Sequence, residues 1–351
     1  MVRFAFIVHP ITPKDIARKH PAAKLMPDAA IEAMMRTMKP SVASRITGVE
    51  SITGAKTEGI FIGLPLTPTM FLEDPLELVY DKIVACCDIA ADEGCQIIGL
   101  GAFTSVVGDG GVTVASRSKI AVTTGNSYTV ATAIEGTLLA CQQVGLTTAG
   151  ATLAVVGATG AIGRTCAICL APAFAKTLLV GRDQARTEAV AAQVARGEAT
   201  TDMHRVREAD VIVTVTSSDT AVIQPEDLKP GSIVCDVARP RDVSVRVAKE
   251  RPDVLVIEGG VVSVPGDVDF GLDFGFPPKT AYACMSETMM LALDGRAESF
   301  TLGKDVTVEQ VEETQRLARK HGFHLSGFRS FEKAVDQTTI ERVRAARTAL
   351  V

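Results

Sequence analysis

The sequence predicts an α/β fold, a doubly wound parallel sheet of the Rossmann type joined to a second α/β domain that would hold a substrate. Two observations carry that prediction. Residues 151–170, ATLAVVGATGAIGRTCAICL, read as a buried strand, a glycine turn and a helix in immediate succession. Along most of the 351 residues, short apolar runs alternate with helical or polar stretches, as repeated strand-helix units do. With 47% hydrophobic residues the chain can fill two cores, and its length suits two domains.

Taken in order, residues 3–8 run as a strand into His9-Pro10, and residues 27–38 have the apolar spacing of a helix. Further strands are expected at 60–64 and 96–100, on either side of a helix over 75–93. Residues 127–144 are apolar and small with Glu135 as their one charge, so they read as a buried helix between domains, capped by Gly145. Strands are then expected at 176–180, 209–216, 232–237 and 254–258. A loop rich in Gly, Pro and Asp leads to Pro277-Pro278 and a helix over 279–293 closed by Gly295, and the charged tail 306–351 reads as an outer helical layer. The expected organisation is 1–148 as the N-terminal part of a substrate domain, 149–262 as a dinucleotide-binding domain, and 263–351 as a helical segment returning to the substrate domain.

The glycine turn carries the first functional expectation. Gly157, Gly160 and Gly163 fall three apart, which allows a tight turn, close approach to a pyrophosphate, and packing of helix on strand. A helix beginning near Ala161 would aim its unpaired N–H groups and positive dipole end at the phosphates. Gly157, Ala158, Thr159, Gly160, Ala161 and Ile162 are therefore the expected phosphate cradle, with Thr216 at the end of a later strand as a further cofactor contact. The strand at 176–180 is followed by Gly181 and Arg182, and a guanidinium suits a 2′-phosphate. NADPH is favoured over NADH on that ground; a strand one or two residues longer would make Asp183 the selector instead.

Charge and composition exclude several classes. A formal net charge of −5 supplies no global attraction to nucleic acid or to an anionic membrane. No apolar run approaches the roughly 18 to 20 residues of a membrane span, and no export signal is recognisable, so the chain is expected in the cytoplasm with reduced cysteines. No metal site is expected: Cys166 and Cys169 lie inside the cofactor helix among apolar residues, and Cys86-Cys87 has no histidine at ligand spacing. His9 is either a proton donor to a developing alkoxide or a satisfied loop histidine, and both readings stay open.

Several motifs together resemble the cyanobacterial long-chain acyl-acyl carrier protein reductases. They are GAFTS at 101–105, TTGN at 123–126, VVGATGAIG at 155–163, GGVV at 259–262, and Ala283-Cys284 followed by Glu287. The resemblance implies NADPH-dependent reduction of a fatty acyl thioester to an aldehyde, with Cys284 as the acyl-enzyme nucleophile and acyl carrier protein or acyl-CoA as donor. It also implies that Thr124, Gly125 and Asn126 form a substrate-site loop. Cysteine suits such a role because it is both nucleophile and leaving group, and Lys279, about one helical turn earlier in the expected helix, would supply a nearby cation. Arg18-Lys19 and the arginines of 342–347 are candidate docking patches for an acidic carrier. After GGVV the chain reads SVPGDVDFGLDF, with proline and glycine where bulkier residues are expected, so the acyl pocket has its own shape. Two alternatives stand beside this reading: a dehydrogenase of a small alcohol or ketone without covalent catalysis, and a nucleotide-sensing binding protein.

Overall fold

The computed structural model describes the chain except residues 19–20, 22–24, 219, 274 and 349–351. Its strands run in chain order as β1 (Phe4–Val8), β2 (Ser41–Glu50), β3 (Lys56–Gly63), β4 (Ile97–Gly99), β5 (Ala121–Thr123), β6 (Thr152–Val156), β7 (Lys176–Val180), β8 (Gly197–Thr200), β9 (Val211–Thr214), β10 (Ile233–Asp236) and β11 (Leu255–Glu258). The helices are α1 (Asp28–Thr37), α2 (Pro68–Glu73), α3 (Leu76–Asp92), α4 (Val112–Arg117), α5 (Asn126–Val144), α6 (Ala161–Leu170), α7 (Gln184–Ala191), α8 (Val245–Glu250), α9 (Ala283–Leu293), α10 (Val308–His321) and α11 (Gln337–Thr348).

The chain divides into two compact units. Unit 1 comprises Met1–Asn126, Ser263–Asp305 and Glu313–His324; unit 2 comprises Ser127–Val262, Val306–Glu312 and Leu325–Val351. The sequence reading draws its first boundary at 148, whereas α5 belongs with unit 2 from Ser127 onward. A methyl at Gly136 of α5 would lie 3.7 Å from Ile257 Cδ1 of β11, so this helix packs on the unit 2 sheet. The tail is likewise divided between the units.

In unit 1, β3, β1, β4 and β5 lie side by side and parallel. Residues 4–7 of β1 are all buried, as a strand covered on both faces requires. Helix α3 buries Val79, Tyr80, Ile83, Cys86, Cys87 and Ala90, one stripe at helical spacing, in the same core. Antiparallel β2 and the strand Gly266–Asp269 extend the other edge. Both were unexpected from sequence. Register shifts at Val42/Ser44 and Ile46/Val49 break the alternation of β2 that would have marked a strand. Because the four parallel strands point one way, the segments after β1, β3, β4 and β5 share one edge of the sheet, where ligands of such sheets bind.

In unit 2 the order is β11-β10-β9-β6-β7-β8, every adjacent pair parallel. Counted from β6 this is the 3-2-1-4-5-6 arrangement of the Rossmann fold, with the strand order reversing between β6 and β9. The expected doubly wound α/β class is the class observed.

Candidate active site

The glycine turn sits at that reversal. Gly157, directly after β6, adopts φ +82°, and a methyl there would lie 2.5 Å from the Val215 carbonyl oxygen. A methyl at Gly163 would lie 2.4 Å from the Gly157 carbonyl oxygen, so the first turn of α6 packs directly on the loop. Gly160 is the N-cap of α6 and brings no side-chain acceptor, which leaves the first-turn N–H groups for an outside acceptor. Thr159, Ala161 and Ile162 are half-buried and Gly160 is exposed, while Ala158 is buried beneath them. A compact loop, its own Gly157, Ala158 and Gly160 N–H groups bonded to backbone carbonyls, followed by first-turn helix N–H groups with no capping side chain, fits the pyrophosphate of a dinucleotide.

Thr216 lies beside Gly157, its methyl 3.3 Å from the position a Gly157 Cβ would take. Its hydroxyl and N–H donate to Asp242 at 2.5 and 2.8 Å, and the Thr214 hydroxyl donates to the same carboxylate at 2.6 Å. The loop after β9 is therefore tied down by a buried acid that local patterning did not single out. Asp236, at the end of β10, accepts from the N–H groups of Ala238 and Val243, and burial pushes its carboxyl up to about 6.

Strand β7 ends at Val180, as the sequence indicates. Asp183 caps α7, its Oδ1 accepting the Arg186 N–H at 3.0 Å. Arg182 is exposed and forms no ion pair among the described residues. Of the two side chains expected to select the cofactor, Asp183 is engaged in capping α7 and Arg182 is exposed.

In unit 1, α9 opens with Ala283 and Cys284 after the N-cap Tyr282, which brings no capping side-chain bond. The expected helix over 279–293 is thus corrected: Thr280–Tyr282 is a strand. Lys279 lies outside the helix at φ +60°, and its ammonium pairs with Asp267 at 2.9 Å, so it is not the cation one turn before the sulfur. Cys284 is half-buried. Cys86, Cys87, Cys95, Cys141, Cys166 and Cys235 are buried, and burial raises their thiols, Cys141 and Cys235 to about 12. Burial also raises half-buried Cys169.

Two glycine segments border Cys284. Gly125 adopts φ +74°, and a methyl there would fall 2.3 Å from Cys284 Cα. A methyl on Gly101 would lie 3.6 Å from Cys284 Sγ and 2.5 Å from Phe6 Cζ. The GAFTS and TTGN segments, both more than 150 residues before Cys284 in the chain, thus converge on it. Thr124 and Asn126 are buried; the Thr124 hydroxyl and N–H donate to the Thr301 carbonyl at 3.1 and 2.9 Å. Glu287, fully buried one helical turn after Cys284, accepts the hydroxyls of Thr123 and Thr301 at 2.5 and 2.9 Å.

His9 follows β1 at the same sheet edge. Its Nδ1 donates to the Pro10 carbonyl at 3.1 Å, the ring packs edge-on against Phe71 and Phe103, and Nε2 is buried with no hydrogen-bond partner. Burial lowers its pKa, against the opposing pull of the Pro10 carbonyl, and so favours the neutral ring. Among the described residues no cluster of three or more His, Cys, Asp or Glu is placed to hold a metal. Of the basic stretches, Lys19 lies outside the described residues, while Arg344 donates to the Gln143 carbonyl and Arg347 to that of Gly231. No described helix is long and apolar enough to cross a membrane.

The family described as Shikimate / quinate 5-dehydrogenase matches residues 139–258, which fall within unit 2. An aminotransferase, PigE, of a Serratia species is 30% identical over 83% of this chain, and the chain spans only about a third of that relative, 35%. A long-chain acyl-[acyl-carrier-protein] reductase of Synechococcus elongatus is 29% identical over 81% of this chain and 87% of its own length. Among solved structures, L-tryptophan dehydrogenase of Nostoc punctiforme is similar over 100% of this chain and 89% of its own, with 12% identity and a TM-score of 0.44. The nucleotide-binding domain of Thermoplasma volcanium glutamyl-tRNA reductase covers 30% of this chain and 75% of its own, at 24% identity and a TM-score of 0.24.

Proposed function

We propose that this chain is a cytoplasmic NADPH-dependent reductase of fatty acyl thioesters that forms an aldehyde through an acyl-enzyme on Cys284. The coarser part, an oxidoreductase with a nicotinamide cofactor, draws support from the strand order of unit 2, its glycine cradle and the relatives described as reductase and dehydrogenase. The finer part rests chiefly on one observation. Of the eight cysteines, Cys284 is the one that opens a helix, half-buried and flanked by Gly101 and Gly125. A sulfur at the positive end of a helix is favoured as thiolate.

Cys284 Sγ attacks the thioester carbonyl carbon; a new carbon–sulfur bond forms and the donor's thiolate leaves. The proton lost by Cys284 goes to that departing thiol, so the exchange is neutral in protons. A bound reduced nicotinamide supplies the hydride that, with one proton from solvent, converts the enzyme thioester to aldehyde and restores the Cys284 thiol. When the cofactor is bound, Gly157 to Ile162 would hold the pyrophosphate, with Thr216 lining the same loop, and Arg182 would meet the 2′-phosphate. Thr124, Gly125 and Asn126 shape the wall beside the sulfur.

Intact mass after incubation with palmitoyl-CoA and no cofactor tests this. One acyl group is expected on the peptide containing Cys284, and none on Cys284→Ala. The match to Shikimate / quinate 5-dehydrogenase over 139–258 favours a second reading, a small-alcohol dehydrogenase without covalent catalysis. That enzyme would take up no acyl group and would keep its turnover in Cys284→Ala.

A further inference from the structure

Helix α9 carries a single charged side chain, Glu287, and buries it completely. Burying a carboxylate is costly unless donors surround it, and an apolar residue would fill the same space without that cost. The donors come from two distant segments. Thr123 at the end of β5 donates its hydroxyl to Glu287 Oε1 at 2.5 Å, and Thr301 donates its own to the same oxygen at 2.9 Å. The Thr123 hydroxyl oxygen also accepts the Thr301 N–H at 3.1 Å, which closes a ring of three residues. Thr124 then hangs from the Thr301 carbonyl by both its N–H and its hydroxyl, at 2.9 and 3.1 Å. The next residue is Gly125, whose backbone abuts Cys284.

We propose that Glu287 is a positioning residue for Cys284: it clasps the turn 123–125 against the first turn of α9 and so sets where Sγ meets an acyl carbonyl. The inference rests on the reading of Cys284 as acyl acceptor. Nucleophile and anchor ride on one helix, and the turn cannot swing away without breaking the hydrogen bonds to Glu287. Orientation of this kind governs acyl transfer far more than it governs the intrinsic reactivity of a thiol.

The test measures single-turnover acylation of Cys284 by palmitoyl-CoA, alongside alkylation by iodoacetamide. Thr123→Val removes one hydroxyl from the clasp and should slow acylation ten- to a hundredfold, in the limiting acylation rate rather than in the half-saturating palmitoyl-CoA concentration, with alkylation changed less than about threefold. Thr123→Ser keeps the hydroxyl and should acylate within about twofold of the parent, a rescue that a purely space-filling role would not give. Thr301→Val should repeat the loss, and it carries the test if Thr123→Val does not fold. Acylation at the parent rate in both valine variants overturns the clasp while leaving the acyl-enzyme intact. A parent protein that takes up no acyl group overturns both.

Discussion

Replacing Gly125 by alanine isolates the contact between the TTGN turn and Cys284. At φ +74° a side chain costs about 1–2 kcal/mol in backbone strain alone. The added carbon would then sit 2.3 Å from Cys284 Cα and 2.5 Å from both its Cβ and its carbonyl oxygen. Two of these are backbone atoms with no rotamer to escape into, so overpacking adds about 1–3 kcal/mol. The sum is about 2–5 kcal/mol, obtained from two mechanisms that one control separates. Gly295, at the other end of α9, has φ +75° with nothing within 4 Å of its would-be Cβ, so Gly295→Ala should cost only the backbone part. Urea unfolding at unchanged m-value gives both differences. Gly125→Ala should also slow acylation of Cys284, whereas Gly295→Ala should not. Equal costs for the two substitutions, or a Gly125→Ala protein that acylates at the parent rate, would refute the close packing of the turn on Cys284.

Two further outcomes test other parts of the molecule. Arg182→Ala should weaken NADPH binding by about tenfold, the scale of a lost charged hydrogen bond, and leave NADH binding unchanged; fluorescence titration measures both, and an unaltered preference would return the selector role to Asp183. Burial lowers the folded pKa of His9 below its ordinary 6.5, so the unfolded chain binds the extra proton first and stability falls as pH drops below about 6.5. His321, lowered mainly by burial too, adds to that loss, whereas Asp236, raised to about 6, opposes it. His9→Gln should therefore flatten the fall in urea midpoint between pH 7.5 and 5.5, and an unchanged slope would contradict a buried neutral ring.

Much of unit 2 was legible because its signals are local. The strand at 176–180 lies at the residues its apolar run indicated, and the helix after the glycine turn begins at Ala161. Glycines at 157 and 163 announce a turn in which side chains do not fit, and the methyl positions above show why. Unit 1 was harder. The bulges of β2 hide its periodicity, and a short strand at 280–282 was absorbed into a helical pattern, which also misplaced Lys279.

Local residue order by itself determined the α/β class and the glycine turn after β6, since buried strands and tight turns are each specified within about a dozen neighbouring residues, whereas Cys284 stood out only through the family resemblance. Tertiary structure alone decided what surrounds the sulfur. Thr123 and Glu287 are 164 residues apart in the chain, and Thr123 and Thr301 are 178 apart, yet they share one carboxylate oxygen. Asp242 similarly reaches back to Thr214 and Thr216 across two strands of the sheet. Hydrogen bonds of this kind leave no period in the sequence, because the partners are brought together by strand order and by the burial that makes an unpaired carboxylate costly.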